Sequence, residues 1–301
     1  MSNINFKIVP HLWFDRDASE AVRFYISLFS NSGIVSETRI EGTPSGDVDI
    51  ITFNLRGQRF MAINGGPAFR FSNAVSFHLY CGSDSETDRL YEKLSENGSV
   101  LMPLGKYDWA RKYAWVRDRY GVSWQLDADD INHPQKIVPA LLFVNEKAGR
   151  VREAVSFYLS VFPDSRLIME SPWDKSSGMP DGALLFTQFS LSKFIFNSMS
   201  GGSPRHEFDF NEPISFMVYC KTQEEIDHYW TRLLEDGGEE QACGWLRDRF
   251  GVSWQIVPEI MEKLMTTTDR KQLARVTDAM LKMVKLNIRE LVAAGEVSLS
   301  E

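Results

Sequence analysis

The phrase "VRDRYGVSWQL" at 116–126 returns as "LRDRFGVSWQI" at 246–256, and in each an indole precedes a side-chain amide. A Gln amide offers two donors and one acceptor without charge, so Gln125 and Gln255 suit the orientation of a polar ligand. Strand neighbours face opposite sides, which assigns Trp124 and Trp254 to the other surface, packed beneath helices. Trp115 and Trp245 open the strand before the turn. Ser76 and Ser215 lie mid-strand in "VSFHLYC" (75–81) and "ISFMVYC" (214–220). With no GxSxG elbow and no matching His-Asp set, they are not expected to be nucleophiles. Cys81 and Cys220, at the ends of those strands, read as small buried residues. Three cysteines without CxxC spacing argue against a disulfide framework and a zinc knuckle. The Gly pairs of "NGGPAF" and "SGGSPR" lack the GxGxxG spacing of a dinucleotide or S-adenosylmethionine fold. Asp118-Arg119 and Asp248-Arg249 are expected to shape a turn and make surface ion pairs.

These phrases belong to a longer repeat. "PHLWF" (10–14) answers "PALLF" (139–143), "AVRFYISLF" (21–29) answers "AVSFYLSVF" (154–162), and "NLRGQRFMAINGG" (54–66) answers "SLSKFIFNSMSGG" (190–202). The largest deletion falls in the second copy, where "MPLGKYDWARKYAW" (102–115) shrinks to "EQACGW" (240–245). A period this long marks a duplicated domain rather than a solenoid. Within each copy, short β-branched and aromatic runs alternate with amphipathic helices such as "ASEAVRFYISLFS", for which Ser19 and Asp17 offer an N-terminal cap. Each copy thus reads as strand-helix-three strands, performed twice. Residues 258–294 read as helical and have no counterpart in the repeat.

The 301 residues are 43% hydrophobic and 25% charged, a globular composition. Asp plus Glu outnumber Lys plus Arg by 41 to 33, for a formal charge of −8. That balance speaks against nucleic acid, which requires a basic face. No apolar run approaches the roughly 20 residues of a membrane span. The opening "MSNINFKIVPHLWF" does not read as a signal peptide, so a cytoplasmic protein is expected.

"PHLWFDRDASEAVRFY", "VSFHLYCGSDSETDRLYEKLSENG", "DRYGVSWQL" and "CGWLRDRFGVSWQIVP" resemble the vicinal-oxygen-chelate superfamily of glyoxalases, bleomycin- and fosfomycin-resistance proteins and extradiol dioxygenases. The closer likeness is to its PhnB-like branch, whose domain is often labelled 3-demethylubiquinone-9 3-methyltransferase. The resemblance implies an α+β chain of two tandem glyoxalase-like domains, 5–131 and 136–258, each made of two βαβββ modules, with a C-terminal helical tail at 259–301. Each domain would fold into its own eight-stranded cup, and the two would face each other as an internal pseudo-dimer, with homodimerisation left open.

Catalytic members of the superfamily hold a divalent metal in the cup. Carried over by motif, the three ligand positions fall on Pro10 or Pro139, near Ser76 or Ser215, and on Gln125 or Gln255. Proline has no donor atom, and Gln lacks the charge of Glu. His78 shares a strand face with Ser76, whereas His11 is one residue out of phase and is expected to point away. Both cups are therefore expected to be metal-free, with no cofactor. The implied function is capture of a small molecule, with Gln125, Gln255, Ser76, Ser215, Trp115, Trp245 and His78 at the ligand. The alternative is a metal-dependent isomerase or lyase using His78 and Gln125, and the residues leave open whether the chain is an enzyme. In a third reading, one copy has lost its cup and serves only as a pairing partner.

Overall fold

The computed structural model describes residues 6–43, 46–202 and 205–297. The first copy runs β1 (Ile8–Phe14), α1 (Ala18–Leu28), β2 (Gly33–Thr43), β3 (Gly46–Leu55), β4 (Gln58–Asn64), then β5 (Val75–Tyr80), α2 (Asp84–Ser95), β6 (Ser99–Tyr107), β7 (Ala110–Arg117) and β8 (Ser123–Asp127). The second copy repeats this as β9 (Ile137–Phe143), α3 (Val151–Val161), β10 (Arg166–Pro172), β11 (Leu184–Leu191), β12 (Phe194–Ser200), then β13 (Ile214–Cys220), α4 (Gln223–Leu233), β14 (Glu239–Glu240), β15 (Trp245–Arg247) and β16 (Ser253–Pro258). Three tail helices follow: α5 (Ile260–Met265), α6 (Arg270–Leu281) and α7 (Ile288–Gly295). The α+β class and the βαβββ modules are as expected.

The expectation that each copy closes its own sheet is corrected. One eight-stranded sheet has the order β14-β15-β16-β13-β1-β4-β3-β2, the other β10-β11-β12-β9-β5-β8-β7-β6. Each therefore takes four strands from either copy. The joints are antiparallel, with His11 opposite Ser215 in the first sheet and Ala140 opposite Ser76 in the second. Exchanging the copies maps one strand order onto the other, so β1 and β9, which carry "PHLWF" and "PALLF", occupy equivalent places.

One face of both sheets belongs to a single apolar cluster with α1 to α4. Phe60 of the first sheet meets Phe77 of the second at 5.6 Å between ring centroids, and Phe196 meets Phe216 at 4.9 Å. The modules of one copy thus share this core, while the opposite faces form two cups, each built across the copies. Helix α1 is capped from outside itself: the Ala18 amide donates to Asn64 Oδ1 of β4 at 2.8 Å, in place of the Ser19 or Asp17 cap that the sequence suggests. The Gly pairs seat tryptophans. A Cβ on Gly65 would fall 2.2 Å from the Trp13 indole, and one on Gly202 would lie 3.1 Å from Trp173.

Candidate functional site

The duplicated Asp-x-x-Gly phrase builds a buried knot in each copy. Asp118 Oδ2 accepts from Tyr25 Oη and Trp124 Nε1, both at 2.7 Å, and its Oδ1 accepts from the amides of Tyr120 and Val122. Asp248 does the same with Tyr158, Trp254, Phe250 and Val252. Both carboxylates are only 3% exposed. Burial pushes the two carboxyls up, and the four donors around each pull back. The expectation of surface ion pairs at these aspartates is therefore wrong. Each instead holds a helix tyrosine of one module to the closing strand of the next. Arg119 lies over the Phe24 and Tyr120 rings, and Arg249 over Phe157 and Phe250. Trp124 and Trp254 are core residues, as expected.

The other face of the first sheet carries Ser215, Met217, Trp245 and Gln255, and also His11. The phase assigned to His11 is corrected: it pairs with Ser215, whereas Pro10 pairs with the core residue Phe216. Gln255 Nε2 donates to Ser215 Oγ at 2.9 Å, His11 Nδ1 lies 3.4 Å from that oxygen, and the His11 ring meets Trp245 edge-on. The tail fills this cup. Met261, Leu264, Met283 and Leu291 form one buried cluster with Val9, Met217, Tyr219 and Val257 of the sheet. Arg59 of β4 pairs with Glu262, and the amides of Cys243 and Gly244, in the shortened β14–β15 hairpin, donate to Met283 and Val284. The deletion seen in the sequence thus makes room for the tail.

Buried beneath that plug, His11 has its pKa lowered from 6.5 to about 3 by desolvation. The unfolded chain takes up this proton near pH 6.5, and the fold resists it down to about 3. The contribution of the neutral ring is complete above pH 6.5 and falls as the pH drops, by about 1.4 kcal/mol per unit. Urea titrations at pH 7 and 5 should show the wild type losing roughly 2 kcal/mol more than His11→Asn. Equal losses would mean that His11 is hydrated.

The second sheet's cup face is polar where the first is apolar. Asn197 and His78 stand where the first has Met61 and Met217, and Asp127 where it has Val257. Gln125 Nε2 donates to Ser76 Oγ at 2.8 Å, and its Oε1 accepts from Tyr113 Oη at 2.7 Å. Trp115 Nε1 donates to Ser123 Oγ. His78 Nε2 lies 3.4 Å from Asp127 Oδ2 and Nδ1 lies 3.3 Å from Asn197 Nδ2, while Gln188 donates to Tyr80 Oη and Asn197 Oδ1. Gln125 Nε2 also comes within 3.8 Å of Met199 Sδ. β8 and β12 are three strand spacings apart, about 14 Å in a flat sheet, so this contact requires the sheet to curl. Burial pushes the Tyr80 phenol up to about 12, and Tyr113 is raised as well, so both stay neutral. The long β6–β7 hairpin forms the edge of this sheet and brings Tyr107, Trp109 and Tyr113 together, an aromatic set missed by the sequence reading although "YDWARKY" displayed it.

Neither cup offers a divalent ion a fitting set. At the positions implied by the resemblance, the cup faces carry Ser76, Ser215, Gln125 and Gln255, all uncharged, and Gln125 already uses both ends of its amide. His78 and Gln125 pair in register across β5 and β8 but turn to different partners. Among the described residues there is no group of three His, Cys, Asp or Glu able to hold a metal ion.

The sequence model of the family described as 3-demethylubiquinone-9 3-methyltransferase matches residues 6–127 and again 135–257. The chain belongs to this family. Among solved structures, a PhnB protein from Bacillus cereus is 40% identical over 40% of this chain and 96% of its own, with a TM-score of 0.37. A protein from Pseudomonas aeruginosa is 25% identical with the same coverage and a TM-score of 0.36. Glyoxalase I from Zea mays, 8% identical, aligns over 85% of this chain and 95% of its own with a TM-score of 0.56, and shares the tandem fold. No curated protein matches the chain. In this family member the Gly pairs seat Trp13 and Trp173, so they lend no support to the methyl-transfer activity in the family's description.

Proposed function

We propose that the protein binds a small molecule in one cup only, the cup of the second sheet, and that the first cup is structural. The observation that carries this reading is the unequal treatment of the two: tail side chains fill the first, whereas the second is bordered by a hairpin of two irregularly paired strands and takes no tail residue among the described ones. Gln125, Ser76, Trp115 and His78 are then the ligand residues. Gln255, Ser215 and Trp245 are the corresponding residues of a cup given over to the tail. The two domains act as an internal pseudo-dimer, each supplying half of both cups. Ligand capture should fall at least tenfold in Gln125→Ala and stay within twofold in Gln255→Ala, measured by thermal shift over a small-molecule library. Equal losses would make the cups equivalent.

Because the cup residues do not fit a metal, protein purified without chelator should carry less than 0.1 equivalent of divalent metal by elemental analysis, and EDTA should leave its melting temperature unchanged. Stoichiometric metal lost with Gln125→Ala would promote the metal-dependent enzyme.

A further inference from the structure

Among the described residues, the buried part of the second cup's face holds one carboxylate, Asp127, and no lysine or arginine. Asn197 presents its amide nitrogen to His78 Nδ1, which makes Nδ1 the acceptor and leaves the ring proton on Nε2, facing Asp127 Oδ2. His78 is 6% exposed, and its Nε2 has no well-aligned hydrogen-bond partner. Arg111, two residues before Tyr113, is held by Asp84 and Asp129, two acids against one base.

A line of rings leads from solvent to that carboxylate. Trp109, 62% exposed at the hairpin end, stacks on Tyr107 at 5.0 Å. Both meet Tyr113 edge-on, Tyr113 meets His78 at 6.1 Å, and His78 stacks on Tyr80 at 4.4 Å. Tyr113 sits opposite Asp127 in the β7–β8 ladder. Aromatic faces attract cations, more strongly where water is excluded, and a carboxylate at the end of the line adds to that attraction and repels anions. The hairpin's ladder is irregular, with register shifts between Val100 and Met102, Met102 and Gly105, and Gly105 and Tyr107.

We infer that the ligand of this cup is a flat aromatic cation, stacked on the exposed Trp109 with its charge toward Asp127. This rests on the reading of the second cup as the binding site. Calorimetric titration with N-methylquinolinium and with quinoline-2-carboxylate, two probes of one size and opposite charge, tests it. The cation should bind and the anion should not. Trp109→Ala, at an exposed position that leaves the fold intact, should weaken the cation about tenfold. Asp127→Asn, of equal shape, should weaken it similarly and flatten its salt dependence. If the anion binds in a Trp109-dependent way and the cation does not, the charge class is overturned while the cup survives as the binding site. If neither probe binds, both the class and the binding cup fall. Cation binding equal in wild type and both variants places the probe elsewhere and overturns the inference.

Discussion

Asp118→Ala should lower the unfolding free energy by about 3–5 kcal/mol, and Asp248→Ala by a similar amount. The substitution strands a tyrosine hydroxyl and an indole N–H inside the core, each costing about 1–3 kcal/mol when left unpaired, and releases two turn amides. A surface ion pair in the same place would be worth about 0–1 kcal/mol, so chemical denaturation separates the two readings. Trp124→Ala should also cost about 3–5 kcal/mol, as large-to-small core changes do. Because Trp124 donates to Asp118, the double variant should lose less than the sum of the two singles. Strict additivity would mean that the aspartate acts through the tyrosine and the turn alone.

The buried aspartate shows where sequence reading stopped. Asp is among the residues least often buried, and composition placed it outside. Yet both copies keep the same spacing from Asp118 to Trp124 and from Asp248 to Trp254, together with a helix tyrosine, Tyr25 or Tyr158. That triple repetition was a signal of a linked set. The modules were legible because each alternates strand and helix periods and then does so again. The exchange of strands between copies was not, because strands pair through backbone groups: "VSFHLYC" and "ISFMVYC" offer β1 the same ladder. The phase of His11 was hidden for a related reason. β1 is covered on both faces, by the core and by the tail, so Ile8-Val9-Pro10-His11-Leu12 shows none of the alternation that marks a half-exposed strand. Gln125 and Trp124, by contrast, fell on the expected faces, because a buried indole and an amide differ enough to reveal the period.

The tail sets the asymmetry of the molecule, and its anchoring should be expensive to weaken. Leu264 and Leu291, almost wholly buried between the first sheet and the helices, should each cost about 2–5 kcal/mol on truncation to Ala. Val284, 46% exposed in the same tail, should cost less than about 0.5 kcal/mol. The tail is tied at three separated places: Glu262 to Arg59, Met283 and Val284 to the β14–β15 hairpin, and Leu286 and Ile288 to Gln223. Two of these anchors belong to the second copy and one to the first, so the plug bridges the joint where β1 meets β13. Loosening it should therefore weaken the first sheet's joint as well as the helices. In hydrogen exchange, the Leu264→Ala variant should lose protection in β1 and β13 together with α5 to α7, while the β5–β9 joint of the second sheet keeps its own. Loss confined to the helices would show that the first sheet stands without its plug, and that the first cup is a site held shut.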